Sequence, residues 1–498
     1  MGSTWDGAAL PLSLLGVPLL FALLVWPAPA GARRGLWIAG SALTLLLALA
    51  QAARVLRGGP IGALGDELLV DGLAALLSLL VAFIALACAL YAASYLPGPH
   101  SHDPARRATL ERRLPLFQSL FLVLEFTLLW VVMTNNVVLL WVALEATTLA
   151  SALLVSFYWD ARAIEAGYKY LLLLTVGITS AFFGCVLLYS AAQPHLGGES
   201  ALLISNLRRV AGDLPPHIAL VATVLLLIGF GTKAGLAPFH PWVADAHAEA
   251  PAPMSAFLSS IIIKVPFVGI LRVWSIFGAR YPELNDTLMV LGAFTLVVGG
   301  ALAVAQDDLK RLFAYSSVGQ VGYIAVALGT GHYLGYYAAV LFVVSHALTK
   351  ALLFMGAGAV AFAARDLRSM AALGGLARRM PLTAACMLAG VLSLAGLPPF
   401  SGFVAKAGVV LATAESHAWI VMAVALGASL FTMAYGIAVA GRVFRGAMRS
   451  DGLDQAREVP APMWAAMLLL ALASLAIGLR PQLLHPLLDL AARMQGGS

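Results

Sequence analysis

The feature that most constrains this chain is the recurrence of apolar runs long enough to cross a bilayer, about 20 residues each. About fourteen candidate spans follow one another, roughly 7–26, 36–53, 72–96, 115–133, 136–158, 166–191, 217–238, 254–278, 287–305, 312–329, 333–362, 384–412, 418–441 and 462–479. Only 11% of residues are charged and 61% are hydrophobic. A soluble globule carries roughly a quarter charged residues, so that class is excluded. The expectation is an all-α polytopic membrane protein.

The first span ends in Pro-Ala-Pro-Ala-Gly-Ala, which imitates a signal-peptide cleavage site. However, Asp6 precedes the span and the basic pair Arg33 and Arg34 follows it, the reverse of a secretory leader. It reads as a first helix with its N-terminus outside. Alternating from there, seventeen of the 30 Lys and Arg residues fall on inner loops, and both termini are expected outside. The net charge of +6 thus reflects topology, with no nucleic-acid surface. Cys88, Cys185 and Cys386 stand alone inside spans, and neither a GxGxxG after a strand nor a P-loop is present. No cofactor site is expected in this chain.

The lysines behave differently from the arginines. All 24 arginines fall in loops or near helix ends, whereas Lys169, Lys233, Lys264, Lys350 and Lys406 fall inside spans. An arginine keeps its proton under biological conditions, but a desolvated lysine can be brought toward neutrality and can pass its proton on. A channel for simple cations would favour rings of carboxylates or carbonyls instead. The pattern predicts a proton relay.

Lys233 follows an apolar run and precedes Gly235, Pro238 and Pro241, a broken seventh helix at membrane depth. Glu145 lies mid-span in LLWVALEATTLASALL and is the expected partner of Lys233. At about 4 Å and an effective dielectric of about 20, such a pair attracts by about 4 kcal/mol, or about three pKa units. His346 and Lys350 stand one turn apart in SHALTKALLF, and histidine titrates nearest neutrality. Lys264 precedes Pro266 by two residues, and Lys406 follows a second break at Gly396, Pro398, Pro399 and Gly402 in span twelve. LAPF at 236–239 echoes LPPF at 397–400.

Several positions have a structural reading beside the functional one. Lys169, near Arg162 and Glu165, also reads as a lysine snorkelling to the inner surface. Lys264 and Lys406 also read as caps on half-helix C-termini. Glu125, in span four, also reads as a hydrogen-bond partner for a neighbouring helix. His240, Asp245 and His247 sit on the connection between spans seven and eight; their spacing is not a metal motif, and a lining for proton uptake accounts for them. Asp307, Asp308, Lys310 and Arg311 read as a solvated face or a subunit contact.

Six stretches together resemble one superfamily: LEATTLAS around Glu145, EAGYKYLLL around Lys169, GFGTKAGLAPFHPWVADAHAEAPAPMSAFLSS around Lys233, DDLKRLFAYSSVGQVGY at 307–323, SHALTKALLFMGAG at 345–358 and LAGLPPFSGFVAKAG at 394–408. The chain is similar to the antiporter-like membrane subunits of respiratory complex I, of multisubunit sodium/proton antiporters and of group-four hydrogenases. LEATTLAS and EAGYKYLLL look most similar to the F subunit of hydrogenase-four complexes.

The resemblance implies two inverted five-helix repeats with broken helices 7 and 12. It implies N-terminal helices 1–3 in 1–114, helices 4–8 in 115–280, helices 9–13 in 281–445, and helix 14 with a tail in 446–498. It makes Glu145 and Lys233 a pair, Lys264 and the His346–Lys350 pair relays, and Lys406 the residue near the exit. One complex I relative has a glutamate in helix twelve, from which Lys406 departs. The lack of a long lateral helix after helix fourteen favours the shorter subunit types, and RPQLLHPLLDLAARM reads as a surface amphipathic segment.

The expected function is proton translocation by a non-catalytic subunit of a bacterial inner-membrane complex, with iron–sulfur or nickel–iron centres in partner subunits. The alternatives are a sodium/proton antiporter subunit, the membrane partner of an inorganic-carbon uptake complex, and an independent transporter of a small solute. No cluster of polar residues that would cage an organic solute supports the last.

Overall fold

The computed structural model describes residues 4–98, 104–450 and 453–496; the ends of the chain, expected outside, lie beyond the described residues. Six helices come first: α1 (Thr4–Val25), α2 (Ala30–Gly58), α3 (Gly72–Tyr95), α4 (Pro104–Met133), α5 (Val137–Val155) and α6 (Ala161–Leu196). A small hairpin, β1 (Ile61–Ala63) against β2 (Leu68–Val70), joins α2 to α3 with Ile61 opposite Val70. Short polar side chains start several helices by accepting otherwise unbonded backbone N–H groups. Asp71 accepts from Ala74, Asn136 from Val138 and Leu139, and Asp160 from Ala163.

The short α7 (Ile204–Val210) leads to a seventh crossing made of α8 (Pro216–Ala234) and α9 (Trp242–Glu249). The eighth is α10 (Ala252–Phe257), a π-helical turn at Leu258–Ile262 and α11 (Pro266–Phe277). Crossings nine to eleven are α12 (Pro282–Val304), α13 (Leu309–Gly329) and α14 (Tyr333–Ala363). The twelfth is split into α15 (Pro381–Ala395) and α16 (Ser401–Glu415); α17 (Trp419–Val439) and α18 (Ala461–Leu479) complete the set. Among the described residues thirteen helices are long and apolar enough to cross a membrane, and the two halves of the twelfth supply the fourteenth crossing. This is an all-α, multi-pass membrane architecture. The tail helix α19 (His485–Gly496) packs against α3 and α14.

Burial sorts the helices into an inner and an outer set. The most apolar stretches of crossing eight and α14 are wholly buried and that of α13 nearly so, while those of α1, α6, α17 and α18 lie mostly outside the core. The outer helices expose Leu, Ile, Val and Phe, the pattern of a surface facing acyl chains. Small residues permit the closest helix approaches. A Cβ at Gly299 of α12 would lie 2.1 Å from the backbone nitrogen of Gly319 on α13.

Both breaks use the same local device. Gly235 (φ +75°) and Gly396 (φ +79°) end α8 and α15 in the left-handed region that glycine enters without strain. Leu236 N–H returns to Gly231 O at 2.9 Å, and Leu397 N–H returns to Leu392 O at 3.0 Å. Thr295 Oγ1 accepts Ala237 N–H at 3.1 Å, which satisfies a backbone donor freed by the first break.

Two sequence expectations need correction here. Residues 242–249 are not a connecting loop, because α9 buries Trp242, Val243, Ala246 and His247 as the second half of crossing seven. Crossing eight is a third interrupted helix: Pro266 has no N–H and crowds the preceding turn, and Lys264 sits in the irregular turn before it.

Candidate functional site

The buried basic residues occupy the middle of the inner set. Lys233, in the last turn of α8, donates to Leu144 O and Thr148 Oγ1 on α5. It is 1% exposed. Glu145 is the next residue after Leu144, but its carboxylate turns toward α6, where Thr175 Oγ1 donates to Oε1 at 2.8 Å. No ion pair joins Glu145 to Lys233 among the described residues. The α-helical period turns adjacent side chains about 100° apart, so an amine resting on the Leu144 carbonyl need not meet the Glu145 side chain.

Lys350 on α14 repeats the Lys233 arrangement on α13. It donates to Phe313 O at 2.9 Å and to Ser316 Oγ, and its amine lies 5.7 Å from the Phe313 ring centre. Lys264 donates to Ser259 O inside the π-helical turn. Lys406 on α16 approaches Ala395 O, the last carbonyl of α15, at 3.4 Å and Ser429 Oγ at 3.3 Å, over the Tyr323 ring at 5.0 Å. The cap geometry read for Lys406 is therefore present, and the same amine also faces the interior.

His346 connects these groups. It is buried one turn before Lys350, and neither ring nitrogen has a hydrogen-bond partner. His346 and Lys406 share a small cavity of about 10 Å³ with Gln320, Ser345, Thr349 and Ser393, room for about one water. Hydroxyls continue the polar surface: Ser345 meets Ser401 at 2.8 Å, Thr349 meets Ser393 at 2.8 Å, and Ser401 meets Ser474 at 2.9 Å.

His247, expected on a loop, lies wholly buried on α9. Its Nδ1 meets Val243 O at 2.6 Å and its Nε2 has no partner. His240 sits half-buried in the first break, and Asp245 lies at the mouth of a cleft, so the three residues do not converge. Among the described residues no group of three His, Cys, Asp or Glu side chains is placed to hold a metal ion.

The cleft, about 280 Å³, opens at one end of the helices between Glu165, Lys169, Asp245, Asp308, Arg311 and Arg368. Lys169 pairs there with Glu165 at 2.5 Å and Asp245 at 3.5 Å, its side chain 47% exposed, which is the snorkelling position and not the buried line. Asp245 also takes Arg311 at 2.8 Å, and Arg368 faces Asp308 at 3.5 Å and Glu249 at 3.9 Å. Burial works against the Arg368 charge, but Asp308, Glu249 and Asp366 hold its pKa above the usual arginine value. Glu125 is buried away from this line, with Ser41 Oγ donating to Oε2 at 3.0 Å and Oε1 without a partner.

Two basic residues were misplaced by sequence reasoning. Lys310, read as solvated, is 5% exposed and donates to Ala248 O at 2.8 Å and Ala250 O at 2.6 Å, where α9 ends. Arg272, one of the arginines expected in loops or near helix ends, is buried in α11 and bonded to Asp71, itself fully buried. Thr148, Ser316 and the serine cluster were missed too. Thr148 follows Glu145 by three residues and Ser316 lies in AYSSVG, but which helix each would face is a tertiary fact.

The transmembrane family model described as NADH:quinone oxidoreductase/Mrp antiporter matches residues 134–432. The chain belongs to this family. It is 34% identical to NADH-quinone oxidoreductase subunit N of Desulforudis audaxviator over 429 residues, covering 83% of this chain and 82% of that one. It is also 34% identical over 345 residues to a hydrogenase-4 component F homolog of Methylacidiphilum infernorum, covering 69% and 71%. A chain in the structure of the Mrp complex from Dietzia shares its fold, with a TM-score of 0.84 at 23% identity over 98% of this chain and 97% of that one. Buried Lys, Glu and His residues within an antiporter-like fold are thus what this family member presents.

Proposed function

We propose that the chain is a proton-translocating subunit of a redox-driven complex in a bacterial cytoplasmic membrane. One observation carries the reading: Lys233, Lys264, Lys350 and Lys406 are buried inside the helix bundle, with no carboxylate on any of these amines among the described residues. A fixed charge there is expensive, so a removable one is the economical reason to keep it. Lys264, His346, Lys350 and Lys406 form the connected part of the route, and Lys233 with Glu145 its coupling end. Helices 4–8 and 9–13 act as the two inverted halves, and the arginine-rich loops face the cytoplasm.

Glu145 supports a multisubunit setting. Its carboxylate lies on a partly exposed α5–α6 face beside Thr175, where bare lipid would be a poor neighbour. A partner subunit covering that face would set the charge beside Lys233. The two sequence relatives reported above, each 34% identical, are subunits named for NADH–quinone oxidoreductase and hydrogenase-4, which supports partners holding iron–sulfur or nickel–iron centres; the Mrp chain, covered more fully but 23% identical, carries the fold alone.

The test has two parts. The chain, purified from native membranes, should travel with iron–sulfur proteins. Inverted vesicles energised by the complex's electron donor should acidify, and Glu145→Gln should abolish this while the protein still accumulates. Normal pumping by that variant refutes the coupling role; isolation with small antiporter subunits alone refutes the redox partner.

A further inference from the structure

We propose that Lys310 is a further proton-carrying residue, the inward end of the line, standing between the polar cleft and His247. The inference rests on the proton-translocating reading above and adds to it the place where protons come in.

The position is the first argument. Arg368 in the cleft wall donates to Ala248 O at 2.8 Å, and Lys310 donates to the same oxygen from the buried side. The residue preceding Ala248 is His247, wholly buried and with Nε2 lacking any partner. A buried imidazole nitrogen with no donor facing it is an unmet acceptor. Lys310 is thus one residue deep from solvent-facing carboxylates, and its acceptor Ala248 is one residue along α9 from a buried imidazole.

The bonding is the second. Asp308 and Glu249 face Arg368 at 3.5 and 3.9 Å, while among the described residues the Lys310 amine bonds to the Ala248 and Ala250 carbonyls. A neutral amine has two N–H donors and one lone pair, so it fills both carbonyls and still accepts a proton. A hydronium in the cleft gives its proton to that lone pair, leaving water and a third N–H bond. The ammonium then swings on its flexible side chain to turn one N–H toward His247, that bond breaks as Nε2 takes the proton, and the neutral amine re-forms both carbonyl bonds. Arg368, charged throughout and sharing Ala248 O, repels the ammonium form and favours passing the proton on.

The experiment uses the full chain in its complex, in inverted membrane vesicles that report proton uptake. Lys310→Arg keeps the charge and can reach both carbonyls but cannot release a proton. It should leave the thermal midpoint of the purified complex unchanged and slow uptake by about 10-fold or more. Uptake at the wild-type rate overturns the inference and leaves Lys310 a helix-end cap. If Lys310→Arg does not assemble, Lys310→His is compared with Lys310→Gln. Faster uptake with histidine supports the relay, and equal rates overturn it. The two readings separate because a normal rate in Lys310→Arg sinks only this one, whereas wild-type vesicles that move no protons sink both.

Discussion

Lys233, Lys310, Lys350 and Lys406 each rest on two neutral acceptors, whereas Arg272 and Arg311 rest on carboxylates. The two groups of cations lie in one protein, some within a few residues of each other, so the difference is not one of depth alone. A guanidinium bound to a carboxylate holds a fixed charge and fastens helices together. An amine bound to carbonyls and hydroxyls can drop its proton without breaking either bond. The first arrangement builds; the second can change state.

The comparison breaks most sharply at its centre. Lys350→Arg introduces an obligatory charge at a site with no carboxylate, and proton movement in vesicles should fall by roughly 100-fold or more, the scale of a lost acid–base group; a near-normal rate would remove Lys350 from the line. Next comes Arg272→Met, which leaves Asp71 charged and unpaired in the interior. It should destabilise the protein by about 3–5 kcal/mol, seen as a lowered thermal midpoint in detergent, and an unchanged midpoint would mean that the pair fastens nothing. Thr148→Val removes one neutral acceptor from Lys233, worth about 1 kcal/mol, so transport should slow several-fold while the midpoint barely moves. Arg311→Gln opens a pair whose partners are about one-third exposed, Asp245 at 29% and Arg311 at 36%, and should shift stability by less than about 1 kcal/mol. A larger loss there would show that the cleft fastens the fold as Arg272 does.

Much of this was legible in the sequence. Apolar runs locate the crossings because a bilayer leaves a helix no other way to satisfy its backbone. The breaks at Gly235 and Gly396 were readable because glycine and the prolines after it admit few alternatives. The burial of Lys233, Lys350 and Lys406 followed from their place within those runs. What stayed hidden was pairing. Lys233 meets the carbonyl before Glu145 rather than its side chain, a distinction of one residue that depends on helix rotation. Lys310 sits among Asp307, Asp308 and Arg311 in a stretch that reads as solvated, and only the end of α9 draws it inward. The burial of His247 was missed because a short helix of mixed polarity looks like a loop until its neighbours enclose it.

The seam between α12 and α13 carries a mechanical implication. With Gly299 set against Gly319 at backbone distance, neither helix has side-chain cushioning there to absorb a shove. The outer face of α12 carries Val290, Phe294 and Val297 in the open, while α13 supplies the Phe313 carbonyl and Ser316 hydroxyl beneath Lys350. A neighbour leaning on the rim would therefore slide the platform under the central amine directly, as a rigid handle turns a bolt.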